Sequence, residues 1–213
     1  MSRDKFNMDQ TADILNHWAE MGRLEISKGR AFLVTDSNNK SLARIAPPAL
    51  QTIPPTCELA EDYLASLAST PGSHMVLLVQ AGATAVGLWH GDTLVRHKVI
   101  KKYVTRGKGK AQTTFLKTRG KSRYGSRLRL QNARIHLEET NQKMTDWFEE
   151  YGVPEQVFYS CPVRLWAEVF NAEPAPPFEK DSAIKIGVDV RVPNHEELLR
   201  VRNSLKWGEL VVG

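Results

Sequence analysis

A basic stretch near the middle of the chain, residues 97–130, reads HKVIKKYVTRGKGKAQTTFLKTRGKSRYGSRLRL, and we refer to it as the basic tract. Between residues 96 and 134 there are 14 Lys and Arg and no Asp or Glu, whereas the remainder has 15 basic and 24 acidic residues. One segment therefore makes an otherwise acidic chain basic. Charge concentrated in this way is expected where a polyanion binds, because each neutralised phosphate releases condensed counterions. A solvated basic loop without a defined partner is the alternative.

The sequence on either side of this segment predicts how it is mounted. Three apolar runs at 75–80, Ala83–His90 and 93–103 are separated by turn residues, which predicts an antiparallel meander. The third strand leads directly into the glycines of the basic tract, which predict a long loop. Apolar residues at helical spacing over 128–148 then predict the longest helix, with Ser126 as its N-cap.

Residues 1–72 are expected to form an N-terminal segment packed on the core. Their pattern predicts a helix at Thr11–Met21, a strand within 24–35 that opens a hairpin at the 36–39 turn, a proline-rich connection at 47–55 and a helix at 58–68.

Residues 73–213 are expected to form the main domain. After the long helix they predict a strand at Gln156–Ser160, a helix at 164–170 and a strand at 183–190. Asn194 is the predicted N-cap of a final helix, with Glu197 completing a capping box. This order of elements predicts an α/β fold with a mixed sheet and flanking helices.

Composition excludes several classes of protein. The first 21 residues lack the apolar run of a secretory signal, and the most apolar window, 75–89, is too short to cross a bilayer as a helix. Cys57 and Cys161 are isolated, so neither a disulfide framework nor a CxxC zinc clamp is expected. We therefore expect a cytoplasmic protein that has no metal, cofactor or membrane contact, and its oligomeric state stays open.

Short motif matches outside the glutamine region favour ordinary structural roles. Gly120-Lys121-Ser122 resembles the end of a phosphate-binding P-loop, but Phe115 occupies the position of its first glycine. His90 and His97 lack further ligands at metal-binding spacing. Cys161, next to a proline and without flanking glycines, is more typical of a packed thiol than of a nucleophile.

The basic tract resembles the catalytic central domain of eukaryotic and archaeal class I peptide release factors, and more closely their ribosome-quality-control branch, the Vms-like release factors. The matching elements follow in order along the chain. They are His97-Lys98, Tyr103, Arg106, Gly109-Lys110-Ala111-Gln112-Thr113 and Gly125-Ser126-Arg127-Leu128-Arg129. A weaker likeness extends through 161–170 and 181–205, so that about two thirds of the chain is covered.

The resemblance implies a ribonuclease H-like release-factor domain from which a mobile basic loop projects. It implies a peptidyl-tRNA hydrolase that acts on stalled nascent chains at the large ribosomal subunit, with rRNA and peptidyl-tRNA as partners. The implied catalytic residues are Gln112 and its neighbours Gly109, Ala111 and Thr113. The implied RNA-binding residues are Lys98, Lys101, Lys102, Arg106, Lys108, Lys110, Lys117, Arg119, Lys121, Arg123, Arg127 and Arg129.

The residue types themselves favour the same chemistry. Neutral water attacks an ester carbonyl poorly, so a group that orients water and stabilises the developing negative charge accelerates the reaction. The Gln112 amide can do both without changing its protonation state. Glycines at 107 and 109 permit backbone angles closed to other residues and a close approach to RNA.

The glutamine motif departs from the family pattern, which has two adjacent glycines ahead of the glutamine, at Lys110. Two alternatives to ester hydrolysis therefore stay open: a non-catalytic ribosome- or RNA-binding factor, and a nuclease that cuts the tRNA acceptor end. The chain also lacks the zinc finger, ankyrin repeats and segregase-binding segment of eukaryotic members, so we expect a stand-alone, bacterial version.

Overall fold

The computed structural model describes residues 2–27, 31–104 and 121–213, and for 121–126 it describes the backbone alone. The strands within these residues are β1 Ser2–Asn7, β2 Arg23–Ile26, β3 Phe32–Thr35, β4 Ser41–Ala46, β5 His74–Gln80, β6 Ala83–His90, β7 Thr93–Lys101, β8 Gln156–Ser160, β9 Ile184–Lys185 and β10 Trp207–Val212. The α-helices are α1 Thr11–Met21, α2 Ala60–Ser66, α3 Lys121–Tyr151, α4 Val163–Asn171 and α5 His195–Ser204.

The chain divides into two compact units. Unit 1 comprises Met1–Gly72 together with Arg200–Gly213, and unit 2 comprises Ser73–Leu199. From the sequence we predicted one domain over 73–213, whereas residues 200–213 belong to unit 1. The reason is hydrogen bonding, because β10 pairs with β1 on one side and with β4 on the other.

Unit 1 is built on an antiparallel sheet of five strands in the order β1-β10-β4-β3-β2. Its buried core includes Phe6, Leu15 of α1, Phe32, Ile45 and Tyr63 of α2. The aromatic rings of Phe32 and Tyr63 lie 5.2 Å apart, and the Tyr63 hydroxyl donates to a backbone carbonyl 2.6 Å away. Helices α1 and α2 thus contribute their apolar residues to the core of this sheet.

Unit 2 is built on a mixed sheet in the order β7-β6-β5-β8-β9. Strands β5, β6 and β7 form an antiparallel meander, β8 runs parallel to β5, and β9 runs parallel to β8. One face packs against α3 and α4 through a core that includes Met75, Val86, Met144 and Trp166. Strands β5 and β6 are buried on both faces, which explains why their sequences are almost continuously apolar.

Several predicted elements are confirmed. The 75–103 meander forms, and the mixed sheet with flanking helices is present. The turn at 36–39 joins β3 to β4, where the Asp36 carboxylate accepts hydrogen bonds from the backbone N–H groups of Asn38 and Lys40 at 2.8 and 2.9 Å. Asn194 caps α5, since its Oδ1 accepts from the N–H of Glu197 at 2.8 Å.

Other predictions were wrong in extent. Helix α3 begins at Lys121, so residues 121–125 are helical rather than part of the loop, and Ser126 lies inside the helix instead of capping it. The strand predicted at 183–190 is reduced to Ile184–Lys185. Strands β1 and β10 were not predicted.

Candidate functional site

The basic tract leaves the sheet of unit 2 at the end of β7 and returns in α3. Strand β7 ends at Lys101 and is the edge strand of its sheet, and residues 102–104 carry the chain away from it. The chain is described again from Lys121, the first residue of α3. Both ends of the predicted loop are therefore fixed by elements of the same unit.

Most of the predicted site residues lie outside the described residues. These are Gln112, Gly109, Ala111, Thr113, Arg106, Lys108, Lys110, Lys117 and Arg119. Lys121 and Arg123 lie in the first turn of α3, where only the backbone is described. The roles predicted for all of these residues stay predictions.

The remaining basic residues flank the two ends. Lys98 and Lys101 are exposed on β7, while on α3 Arg127 is exposed and Arg129 is half-buried. Since their side chains are exposed, these two lysines are accessible to an anionic partner. Lys102, by contrast, is engaged within the protein.

Arg96, at the other end of β7, is also engaged. Its guanidinium lies 5.1 Å from the centre of the Tyr151 ring and 3.7 Å from the Glu150 carboxylate, both at the end of α3. Such a cation–π contact at an exposed site contributes about 0.5–1 kcal/mol. Arg96 therefore links β7 to α3 at the end of the sheet away from the loop.

On one side, residues 102–104 lie against the turn between β5 and β6. The N–H of Lys102 donates to the carbonyl of Gly82 at 2.9 Å. Gly82 has a φ of +78°, and a Cβ there would lie 2.5 Å from the Lys102 carbonyl oxygen and 2.5 Å from a Val104 methyl carbon. Glycine is required at this position by both its backbone angle and the close approach of the departing chain.

On the other side, the same residues are tied to α3. The Lys102 ammonium group lies 2.6 Å from the Glu139 carboxylate. The Asn132 amide group donates to the carbonyl of Tyr103 at 2.9 Å, and the Tyr103 side chain is 56% exposed. The first residues of the loop are thus held between a β-turn and a helix.

A buried polar network lies between β6 and α3. The His136 Nε2 atom lies 2.9 Å from the hydroxyl of Thr84, and the Thr140 hydroxyl lies 3.2 Å from that same oxygen and 2.8 Å from the His136 carbonyl. All three side chains are essentially inaccessible to solvent. Burial lowers the pKa of His136 to about 4, with Glu139 acting in the opposite direction, so the imidazole is neutral at physiological pH.

A second histidine contact lies on the face of the sheet that is turned away from α3. The rings of His97 and His195, the first residue of α5, lie 4.1 Å apart at 34°. Burial, and then the neighbouring His195, lower the pKa of His97. Among the described residues no three His, Cys, Asp or Glu side chains are grouped as metal ligands would be.

Cys161 behaves as the sequence suggested. Its side chain is buried, and burial raises the pKa of its thiol to about 12. A thiol that stays protonated in this way is a poor nucleophile.

The sequence did not single out the residues that hold the loop. Asn132, His136 and Thr140 recur every fourth residue, and such spacing places polar side chains on one face of a helix. The sequence shows this spacing, but it does not show that the partners lie on β6 and in residues 102–103. No helix within the described residues has the length and apolar character needed to cross a membrane.

Comparison with known proteins gives a similar solved structure and a matching family model. A solved structure described as the Vms1 mitochondrial localization core is similar to this chain, with a TM-score of 0.54 and 10% sequence identity over 96% of this chain and 84% of that one. At that identity the likeness shows a shared fold. No curated protein matches the chain. The family model for the Bacteroidetes VLRF1 release factor matches residues 74–211, from β5 into β10. The chain therefore belongs to the Bacteroidetes VLRF1 release factor family, a bacterial group of Vms-like release factors.

Proposed function

We propose that this protein is a ribosome-associated peptidyl-tRNA hydrolase of the cytoplasm that frees stalled nascent chains from tRNA on the large subunit, with Gln112 as its catalytic residue. The observation that carries the proposal is the match of residues 74–211 to a release factor family, because that span includes the basic tract with its glutamine motif.

The arrangement of unit 2 supports the ribonuclease H-like fold that we assign to it. Its sheet combines a three-stranded antiparallel meander with two further strands that run parallel to the first strand of the meander. The longest helix follows the meander and packs on the sheet. In the sequence, Gln112 lies between that meander and that helix.

The proposed chemistry requires little of the protein besides placement. In the reaction, water attacks the ester carbonyl that joins the peptide to the tRNA ribose, the carbon–oxygen bond to the ribose breaks, and the ribose oxygen takes up a proton. An amide side chain can orient the attacking water by hydrogen bonding and stabilise charge as it develops. Gly109, Ala111 and Thr113 would shape the backbone around Gln112.

Positive charge at both ends of the loop supports RNA as the partner. Lys98, Lys101 and Arg127 are exposed, and the sequence between 96 and 134 contains no acidic residue. Such side chains position a protein on phosphates without reading sequence. Ribosomal RNA and the acceptor arm of the tRNA are the anions that we assign to them.

The decisive experiment replaces Gln112 with Ala and follows release of a labelled nascent chain from large subunits that carry peptidyl-tRNA. We expect the rate to fall by about 100-fold or more while binding to the subunit is unchanged, since an oriented donor of this kind is worth roughly that factor. Gln131→Ala is the matched control, because Gln131 is an exposed glutamine on α3. Equal rates for the Gln112→Ala protein and the parent would refute the assignment.

The same assay separates the two alternatives. Lys110 in place of glycine favours a non-catalytic binding factor, for which the parent protein would bind subunits in a salt-sensitive way and release nothing. Cleavage of the tRNA acceptor end would instead release the peptide together with a shortened RNA. The length of the product RNA on a denaturing gel distinguishes cleavage of the RNA from hydrolysis of the ester.

A further inference from the structure

Helix α3 has a polar stripe that faces the sheet and the start of the loop. Asn132, His136, Glu139 and Thr140 are spaced by four, three and one residues, so they share one face of the helix. Each of them contacts a group on β6 or in residues 102–103. We refer to these four residues as the α3 polar stripe. Met144, four residues after Thr140, continues this face into the apolar core of unit 2.

Residues 102 and 103 need partners that a sheet no longer provides. They follow the end of β7, where the regular hydrogen bonds of the ladder stop. The N–H of Lys102 is satisfied by Gly82, and the carbonyl of Tyr103 is satisfied by Asn132. Two successive residues are therefore hydrogen-bonded, one to the β5–β6 turn and the other to α3, which leaves this segment little freedom to shift.

Charge and burial reinforce this attachment. The Lys102–Glu139 pair is partly shielded, with 29% of the lysine side chain and 47% of the glutamate side chain exposed. Directly along the helix, His136 and Thr140 meet Thr84 in the buried network, which sets the register of α3 against β6. The helix that holds the start of the loop is therefore itself fixed to the sheet.

We propose that the α3 polar stripe is a positioning device that fixes the point and direction in which the loop leaves unit 2, so that Gln112 meets the ester bond in a reproducible place. The inference rests on the proposed function, and it assigns Asn132 and Glu139 as positioning residues rather than catalytic ones. Misplacement of a reactive group by about 1 Å can reduce a rate by about 100-fold. Affinity for the ribosome depends on phosphate contacts, so it should stay unchanged when the loop is misplaced.

The test uses the full chain with Asn132→Asp, which keeps the size of the side chain but removes its donor, and with Glu139→Ala. Glu138→Ala is the matched control, because Glu138 pairs with Arg134 on the same helix and does not contact residues 102–104. We expect the maximal release rate to fall by about tenfold or more in both variants while the half-saturating concentration of subunits changes by less than about twofold. Glu138→Ala should match the parent.

A second measurement does not require activity. Amide hydrogen exchange of residue 102, whose N–H is bonded to Gly82, should accelerate in Asn132→Asp and Glu139→Ala but not in Glu138→Ala. Accelerated exchange with an unchanged release rate would overturn the proposal, and so would unchanged exchange. An effect on half-saturation alone would likewise contradict it. If Gln112→Ala is inactive while both stripe variants keep full activity, the hydrolase assignment stands and the positioning role falls.

Discussion

His136 illustrates how a single residue can link the site to the stability of unit 2. Its pKa of about 4 lies below the value of 6.5 for a solvated imidazole. Between these values the unfolded chain binds a proton that the folded protein does not, so stability is fully present above about pH 6.5 and is lost as the pH falls toward 4. The neutral ring is thus a condition for the contact between α3 and β6.

We expect the free energy of unfolding to fall by about 1 to 2 kcal/mol between pH 7 and pH 5 through this residue. Urea titrations at both pH values measure the change. His136→Asn, although less stable at pH 7, should lack this component, which separates it from the carboxylates that also titrate on acidification. Parallel pH profiles for the parent and His136→Asn would contradict the assignment.

At the same scale, local chemistry was readable from the sequence where the partner lies nearby in the chain. The Asn194 cap and the Asp36 turn each join residues two to four positions apart, and both were predicted. The hydrogen bond from Asn132 to the Tyr103 carbonyl joins residues 29 positions apart, and no pattern in a single sequence predicts it. Long-range polar contacts of this kind need the fold before they can be named.

Among the elements, β1 of unit 1 was not predicted, and the reason is physical. Strand β1, SRDKFN, is mostly polar and exposed, and only its Phe6 is buried. Residues 2–5 are all exposed, so both faces of most of this edge strand meet water and the alternation that predicts a half-buried strand is absent. Helix α3 was predicted too short because its first turns are basic and contain Gly125, which is typical of loops.

A test at the scale of elements concerns the packing of β10 against β1. A Cβ on Gly208 would lie within 2.7 Å of the Ala46 carbonyl oxygen, and closer still to the Phe6 ring. Gly208→Ala should therefore lower the free energy of unfolding by about 1 to 3 kcal/mol, measured by chemical denaturation.

Gly187→Ala is the control for that substitution, because a Cβ there would meet no atom within 4 Å. It should change stability by less than about 0.5 kcal/mol. Equal effects of the two alanines would show that loss of glycine freedom, rather than crowding between β1, β4 and β10, decides the outcome.

For the whole molecule, the segregation of charge predicts a salt-dependent association. If phosphates contact the exposed lysines of β7, a logarithmic plot of ribosome affinity against salt should be steep, and Lys98→Gln with Lys101→Gln should reduce its slope by about two. Lys5→Gln with Lys40→Gln removes the same charge from exposed positions in unit 1 and should leave the slope unchanged. Filter binding at several salt concentrations measures both. Identical slopes for the two double variants would argue against contact through β7.

The position of β10 within the sheet of unit 1 has a consequence for biosynthesis. This strand lies between β1 and β4, although about 160 residues separate it from β4 along the chain. While the polypeptide is being translated, β1 and the β2–β4 hairpins have no central neighbour until residues 207–212 emerge from the exit tunnel. Unit 2 can close on contacts within 73–199, so a vectorial order of assembly follows in which strands made before unit 2 belong to a sheet that is completed after it.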